Sequence, residues 1–331
     1  MELKKSGPDT SLRISCMESL LVIKPSSLGD IVHGLQVVQT LARERPACRV
    51  SWVVAERFAG LVQAAPFVHE TIVFRRRDGW RGYLRALGKL RGRRYDVVWD
   101  MQGTLRSAGM ALVVTAPEKW ARHDAREGSG LLLNRRIGPP LGEAPYHAIN
   151  RLLPFLASAG VEMQVLFPLG LKPVPVFAWR DFFSGDPRTT FVIFTDSRGV
   201  EKEWPHFDEL TAMILDEIPG SRVAWCAGQP AAPARAVPPG RFLNLTGCPL
   251  DEMIALVRQP MTFIGNDSGP MHLAAASGNR VLSIFGPTDA REFGPYPASR
   301  PTNLSVSAPG GRLHLLTVHQ VFSFLKKLGT T

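Results

Sequence analysis

The sequence predicts an α/β protein made of two doubly wound halves, and three observations lead there. Short apolar strands alternate with helical stretches along most of the chain, the pattern of βαβ units and parallel sheets. The alternation is interrupted at 161–188, where Pro168, Pro173, Pro175 and Pro187 punctuate the chain and mark a linker. In the second half, two consecutive strands end in turn-forming residues, as expected at the carboxyl edge of a parallel sheet lining a ligand crevice. With 331 residues and 45% hydrophobic composition, the chain is long enough for two domains and apolar enough for a core in each.

In chain order, residues 1–18 are polar and lack periodicity, so they are expected to form a disordered extension. Met17, opening Met17-Glu-Ser-Leu-Leu-Val-Ile-Lys, reads as a natural start beside Met1. Strands are predicted at 20–24, 50–54, 70–74 and 95–99, each short and rich in Val, Ile or aromatics. Helices are predicted at 31–43, 57–64, 80–91, 104–114 and 147–159. After the linker, strands are expected at 190–194, 222–226, 241–244, 261–264 and 280–285. The matching helices are 206–217, 250–258, 270–277 and 316–327. This gives a first domain over 19–172 and a second over 173–331, with the C-terminal helix expected to pack back on the first.

Composition narrows the function. No apolar run approaches the roughly 20 residues that span a bilayer. The apolar run 20–23 is too short for a signal-peptide core and runs into Lys24, so a cytoplasmic protein is expected. Cys16, Cys48, Cys226 and Cys248 are scattered, which argues against a disulfide framework or a cysteine zinc site. The net charge of +10 favours an anionic partner. The charge concentrates in Arg75, Arg76, Arg77, Arg81, Arg85, Lys89, Arg91, Arg93 and Arg94. This run suits either a solvated helix face or a landing patch for an anionic acceptor or membrane. Few aromatics interleave with it, so a base-stacking nucleic-acid platform is not expected.

Two strand ends stand out. The stretch Phe263-Ile-Gly-Asn-Asp267-Ser-Gly-Pro-Met-His272 ends a strand and opens a helix near Pro270, where proline needs no N–H. Asp267 or Ser268 suits the N-cap, and the free N–H groups make an anion site that Gly269 opens to a ligand. The first strand likewise leads through Pro25-Ser-Ser-Leu-Gly29-Asp30 into a helix. Asp30 there suits a plain helix start, with Ser26 or Ser27 as cap. The Gly-x-Gly-x-x-Gly fingerprint of dinucleotide enzymes is absent, since only Gly29 is present.

Taken together, Ile23-Lys-Pro-Ser-Ser-Leu-Gly-Asp30-Ile-Val-His, Asp100-Met-Gln-Gly103 with Ser107, and Asp267-Ser-Gly-Pro-Met-His272-Leu-Ala-Ala-Ala with Phe285-Gly-Pro-Thr288 resemble bacterial lipopolysaccharide heptosyltransferases, glycosyltransferase family nine. The resemblance covers about residues 17–328. It implies a GT-B fold, two Rossmann-like domains facing a cleft. It also implies an inverting, metal-independent transfer of heptose from ADP-heptose. The implied acceptor is an anionic lipopolysaccharide precursor, Kdo–lipid A or the growing inner core, at the cytoplasmic face of the inner membrane. No cofactor, metal or nucleic-acid partner is implied. By the same resemblance Asp30 is the general base, and Ser197, Arg198, Lys202, Asp267, Ser268, Gly269, His272 and Thr288 hold the donor sugar and its diphosphate, His272 suiting packing under the loop equally well. Lys202 offsets the leaving charge; Asp267 bonds the sugar while the N–H groups of Ser268 and Gly269 meet phosphate. Gln229, Thr246 and Cys248 fall where nucleotide is received, and Arg57, Gln102, Arg106, Ser107 and Arg122 fall on the acceptor side.

One departure bears on the donor. Family members often carry an acid after the strand equivalent to 222–226 to bind the ribose, and this chain reads Ala227-Gly-Gln229-Pro there. A transferase for another nucleotide sugar or another acceptor, and a non-catalytic glycan-binding descendant of the fold, are the alternative readings.

Overall fold

The computed structural model describes residues 17–175, 177–197, 199–229 and 232–329. The first half runs β1 (Ser19–Ile23), α1 (Leu28–Glu44), β2 (Arg49–Ala55), α2 (Ala59–Ala64), β3 (Val68–Phe74), α3 (Gly79–Leu90), β4 (Val97–Asp100), α4 (Leu105–Leu112), β5 (Glu118–Ala121), β6 (Arg135–Arg136) and α5 (Pro154–Ser158). The second runs β7 (Thr190–Phe194), α6 (Phe207–Glu217), β8 (Arg222–Ala227), β9 (Phe242–Thr246), α7 (Leu250–Val257), β10 (Thr262–Asn266), α8 (Gly269–Ala276), β11 (Arg280–Phe285), α9 (Ala290–Phe293), β12 (Asn303–Ser307) and α10 (Val318–Lys327). Each half forms a six-stranded sheet, ordered β3-β2-β1-β4-β5-β6 and β12-β11-β10-β7-β8-β9. All pairings are parallel.

The central strands are continuous apolar runs because helices cover both faces of each sheet. Leu20, Leu21, Val22 and Ile23 of β1 are fully buried, as are Phe191, Val192 and Ile193 of β7. Strand order reverses between β1 and β4 in one sheet and between β7 and β10 in the other. Loops diverge at such switch points and open a crevice at the carboxyl ends. Helices α1 and α8, which follow β1 and β10, pack against each other and bring the two crevices face to face.

The linker between the halves is pinned to both. Leu166 N–H donates to Thr40 Oγ1 of α1 (2.8 Å), and Leu169 N–H donates to the Ala276 carbonyl at the end of α8 (2.8 Å). The Gln39 amide donates to the Pro168 carbonyl at 2.9 Å.

Elements expected from the sequence occur in place, with instructive differences. Helix α1 begins at Leu28, so Asp30 lies inside its first turn. The helix expected at 147–159 is a short 3₁₀ turn over Ala148–Arg151 followed by α5, because Pro154 lacks the N–H that a continuous helix needs and fits only at its start. Strands β5, β6 and β12 and helix α9 were not anticipated. Helix α10 packs on α6 and β12 of its own half, burying Val321, Phe322 and Leu325. Met17 is buried in the core, and the Glu18 amide donates to Asp96 (2.9 Å), so the described fold takes in both residues. The predicted extension otherwise lies outside the described residues. Among the described residues no helix is long and apolar enough to cross a membrane.

Candidate functional site

A cleft of about 620 Å³ lies between the halves, lined by the loops after β1, β2, β5, β7, β10 and β11. These are the carboxyl ends of strands from both sheets.

On the first wall, Asp30 reaches back from the first turn of α1. Its Oδ2 accepts from Ser27 Oγ (2.7 Å) and Ser27 N–H (3.1 Å), so the carboxylate is fixed by the helix start itself. Its Oδ1 faces Lys24 Nζ at 3.4 Å, and the side chain is 47% exposed to the cleft. Burial raises the Asp30 carboxyl, but the Lys24 charge and the Ser27 hydrogen bonds outweigh it and hold the group below the usual carboxylate range. Lys24 is buried just beyond β1, and burial draws its ammonium below the usual lysine value against the pull of Asp30.

Asp100, at the end of β4, accepts from the amides of Gln102 and Gly103 (3.0 Å each) and from Ser107 Oγ (2.9 Å). Ser107 is therefore buried as an anchor of that turn. Gln102, Arg106 and Ser107 line a second cavity of about 430 Å³, alongside Arg76 and Leu105. It adjoins the main cleft through Ser26, whose amide meets Gln102 Oε1 at 3.4 Å. Arg57 and Arg122 line the main cleft. The Arg57 guanidinium sits over the Phe58 ring, 4.5 Å from its centroid. Arg122 is buried and forks onto Asp124 at 2.8 and 2.6 Å. Arg151 lies 3.9 Å from Asp124 and bridges to Glu292 of α9, an ion pair between the halves.

On the second wall, Asp267 is the hub. Its Oδ2 accepts from Lys202 Nζ and from Thr288 Oγ1, both at 2.8 Å, and its carbonyl accepts from Ser197 Oγ at 3.1 Å. The buried Asn266 side chain pins the 195–204 loop, accepting from Trp204 N–H (3.0 Å) and donating to the Thr195 carbonyl (2.8 Å). Arg198 lies outside the described residues. Ser268 holds the N-cap position of α8, and its buried Oγ has no hydrogen-bond partner among the described residues.

The sequence reading gives Gly269 to a close ligand approach; the structure gives that space to Leu28 of the first half. A Cβ on Gly269 would sit 2.6 Å from Leu28 Cβ, and one on Gly29 would sit 2.6 Å from His272 Cδ2. The two helix starts interlock because both residues lack a side chain. His272 is part of that joint: its ring centroid is 4.8 Å from His33, which is 5.3 Å from His147. Burial pushes His272 down to about 4, so it carries no charge for a diphosphate near neutral pH.

Gln229, Thr246 and Cys248 are not among the residues lining the main cleft. Gln229 and Thr246 are exposed at the ends of β8 and β9, and Cys248 is half-buried. Next to them stands an acid that the sequence reading missed. Asp196, beyond β7, lines the cleft and accepts from the Gly228 amide at 2.5 Å. Arg126 and Arg151 were missed as well, and Lys24, Asp100 and His33 stand in the quoted motif blocks but were given no role. Lys24 and Asp100 had a readable signal, a charge closing an apolar strand; Arg126 and Arg151 had none. Among the described residues no group of three or more His, Cys, Asp or Glu side chains is placed to hold a metal ion.

Comparison with known proteins agrees with this architecture. A curated relative, the lipopolysaccharide core heptosyltransferase OpsX of Haemophilus influenzae, is 24% identical over 84% of this chain and 82% of its own length. Lipopolysaccharide heptosyltransferase 1 of Pseudomonas aeruginosa is 29% identical over 85% and 82%. Among solved structures, Escherichia coli heptosyltransferase WaaC with ADP superposes with a TM-score of 0.75 at 24% identity, covering 94% of this chain and 99% of that one. A family 9 glycosyl transferase from Veillonella parvula gives a TM-score of 0.76 at 19% identity, covering 94% and 97%. The fold is thus that of the GT-B heptosyltransferases. The model of glycosyltransferase family 9 (heptosyltransferase) matches residues 84–310, more than half of the chain, and the chain belongs to that family.

Proposed function

We propose that this glycosyltransferase moves heptose from ADP-heptose to the inner core of lipopolysaccharide, with inversion and without a metal. The observation that carries this reading is the pairing of two walls. Asp30 stands at the switch point of the first sheet, and the Lys202–Asp267–Thr288 cluster stands at that of the second.

In the proposed reaction an acceptor hydroxyl attacks the anomeric carbon while the bond from that carbon to the phosphate oxygen breaks. The electron pair leaves with ADP, and the hydroxyl proton passes to Asp30. One displacement inverts the configuration. Asp30 is a weak base because Lys24 and Ser27 hold it ionised, so its contribution is position more than basicity. Lys202 and the N–H groups opening α8 meet the diphosphate charge. Lys202 has a 29% exposed side chain and can turn from Asp267 to phosphate, leaving Asp267 to bond the sugar.

Asp196 takes the ribose in this reading, the role left open by Gln229, since it stands beside the Gly228 amide at the nucleotide end of the cleft. Arg57, Arg122, Arg126 and Arg151 face an acidic acceptor, and arginine forks suit carboxylate and phosphate. The acceptor is lipid-borne, which places the enzyme at the cytoplasmic face of the inner membrane. The division into an acceptor half and a donor half follows from the same assignments.

The test is calorimetric titration with ADP, UDP, GDP and NAD in excess EDTA, followed by transfer assays with ADP-heptose. Selective ADP binding without metal, and transfer abolished in Asp30→Asn, are the expected results. Preference for another nucleotide retains the fold and discards the donor.

A further inference from the structure

We propose that α3 and the turn before it form a docking face for an anionic lipid bilayer, and that the smaller cavity beside it leads a lipid-borne acceptor from that bilayer into the cleft. The proposal rests on the reading of a lipid-borne acceptor given above.

Helix α3 buries only Gly82, Ala86 and Leu90 against its own domain. Its other side presents Trp80 and Leu84, 69% and 51% exposed and one helical turn apart. Arg77, Arg81, Arg85 and Lys89 flank them, with the Arg81 guanidinium 5.7 Å from the Trp80 ring. From Arg75 to Arg94 the chain carries nine basic residues and one acid, Asp78. A large exposed indole and leucine within a basic rim is the composition of an interfacial helix: the rings enter the headgroup region and the cations meet anionic headgroups. A second copy of this chain fits poorly, because a twofold contact would set this charge against itself. Trp80 is the only large aromatic exposed on α3, so a base-stacking surface is also disfavoured.

Position supplies the second argument. Helix α3 packs on α4, with Tyr83 Oη donating to the Arg106 carbonyl at 3.1 Å. Leu105, at the start of α4, is 49% exposed. Leu105, Arg106 and Arg76 line the smaller cavity together with Glu127, its one acid, and with Ser26, the chain neighbour of Ser27 in the cleft. This cavity is the proposed route from the docking face toward Asp30.

The test is sedimentation of the full chain with vesicles of phosphatidylcholine alone or mixed with phosphatidylglycerol. Binding is expected only with phosphatidylglycerol, and it weakens with salt. A surface cation is worth about 1 kcal/mol, or about fivefold, so the triple variant R77Q/R81Q/K89Q is expected to bind about 100-fold more weakly. Trp80→Ser with Leu84→Ser is expected to weaken binding at unchanged charge. These side chains project to solvent, so circular dichroism and ADP affinity stay at wild-type values. Equal binding to both vesicle types, wild-type binding by the variants, or a dimer that Trp80→Ser dissociates would each overturn the proposal. Vesicle binding with this pattern in a chain that fails to bind ADP upholds the docking face and removes the ADP-heptose donor; ADP binding without vesicle binding does the reverse.

Discussion

Acidification from about pH 7.5 to about pH 5 is expected to loosen the joint between the two halves through His272. The imidazole is buried between α8 and α1, beneath Gly29 and edge-on to His33, and its Nδ1 has no hydrogen-bond partner among the described residues. Burial lowers it to about 4 in the folded chain, against about 6.5 when unfolded. The unfolded chain therefore takes up the proton first as pH falls, and stability declines through the window between those two values. Linkage gives a loss of about 2 kcal/mol between pH 7.5 and pH 5 from this one group, most of it below pH 6.5. Burial also lowers His33 and His147, so they add in the same direction. The variant is His272→Gln, which keeps a neutral polar side chain and removes the titration. Urea unfolding of both proteins across this pH range measures the slopes. The variant starts lower but is expected to lose about 2 kcal/mol less on acidification. Equal slopes for the two proteins would show that His272 protonates without cost and would refute the burial argument.

Four further outcomes follow from the cleft. Asp30→Asn removes the proposed base and leaves the buried Lys24 without its carboxylate; transfer is expected to fall about 10²–10⁴-fold, circular dichroism and an ADP affinity within about twofold of wild type separate loss of the base from loss of the fold, and undiminished transfer in a coupled assay would remove Asp30 from the chemistry. Lys202→Met is expected to weaken ADP binding about tenfold or more, the worth of a charge-assisted contact; unchanged affinity by calorimetry would confine Lys202 to ordering Asp267. Gly269→Ala places a methyl 2.6 Å from Leu28 Cβ and is expected to cost about 1–3 kcal/mol, with Leu28→Ala recovering part of it in a double-mutant cycle. Asp196→Asn is expected to weaken ADP while leaving pyrophosphate binding intact, and adding Gln229→Glu to restore it; equal losses for both ligands would place Asp196 at the phosphates.

Much of the fold was legible in the sequence because doubly wound sheets write themselves locally. Leu20-Leu-Val-Ile and Thr190-Phe-Val-Ile-Phe are continuous apolar runs that only a strand covered on both faces explains. The strands that escaped notice lack that signature. β5 reads Glu-Lys-Trp-Ala, and β6 is two exposed arginines at the sheet edge, where burial imposes no pattern. The site divides the same way. A strand end, a turn and a helix start lie consecutively at Asp30 and at Asp267, so both turns were legible locally, while the role of Asp30 was read from the family resemblance and not from that pattern. Arg151 meeting Glu292, Asp196 meeting Gly228, and Leu28 filling the space at Gly269 depend on packing between segments far apart in sequence, which no local spacing encodes. His272 stands in the motif and lines the cleft, but its burial between the helix starts depends on packing that the motif does not encode.

The two halves solve the same electrostatic problem with different mobility. In each, a carboxylate at the helix start after a switch-point strand is held by one lysine and one hydroxyl: Asp30 by Lys24 and Ser27, Asp267 by Lys202 and Thr288. The first lysine has a 1% exposed side chain and the second 29%. Lys24 cannot leave Asp30 without stranding a buried charge, so that pair is durable and keeps Asp30 ionised and aimed. Lys202 keeps access to water and exchanges partners at little cost, and Thr288 still holds Asp267 when it does. A fixed pair suits a proton acceptor that must not wander, and an exchangeable pair suits a cation that must follow charge onto a departing diphosphate. The asymmetry in burial between two otherwise similar clusters thus fits the proposed division, with the base in the first half and the leaving group met by the second.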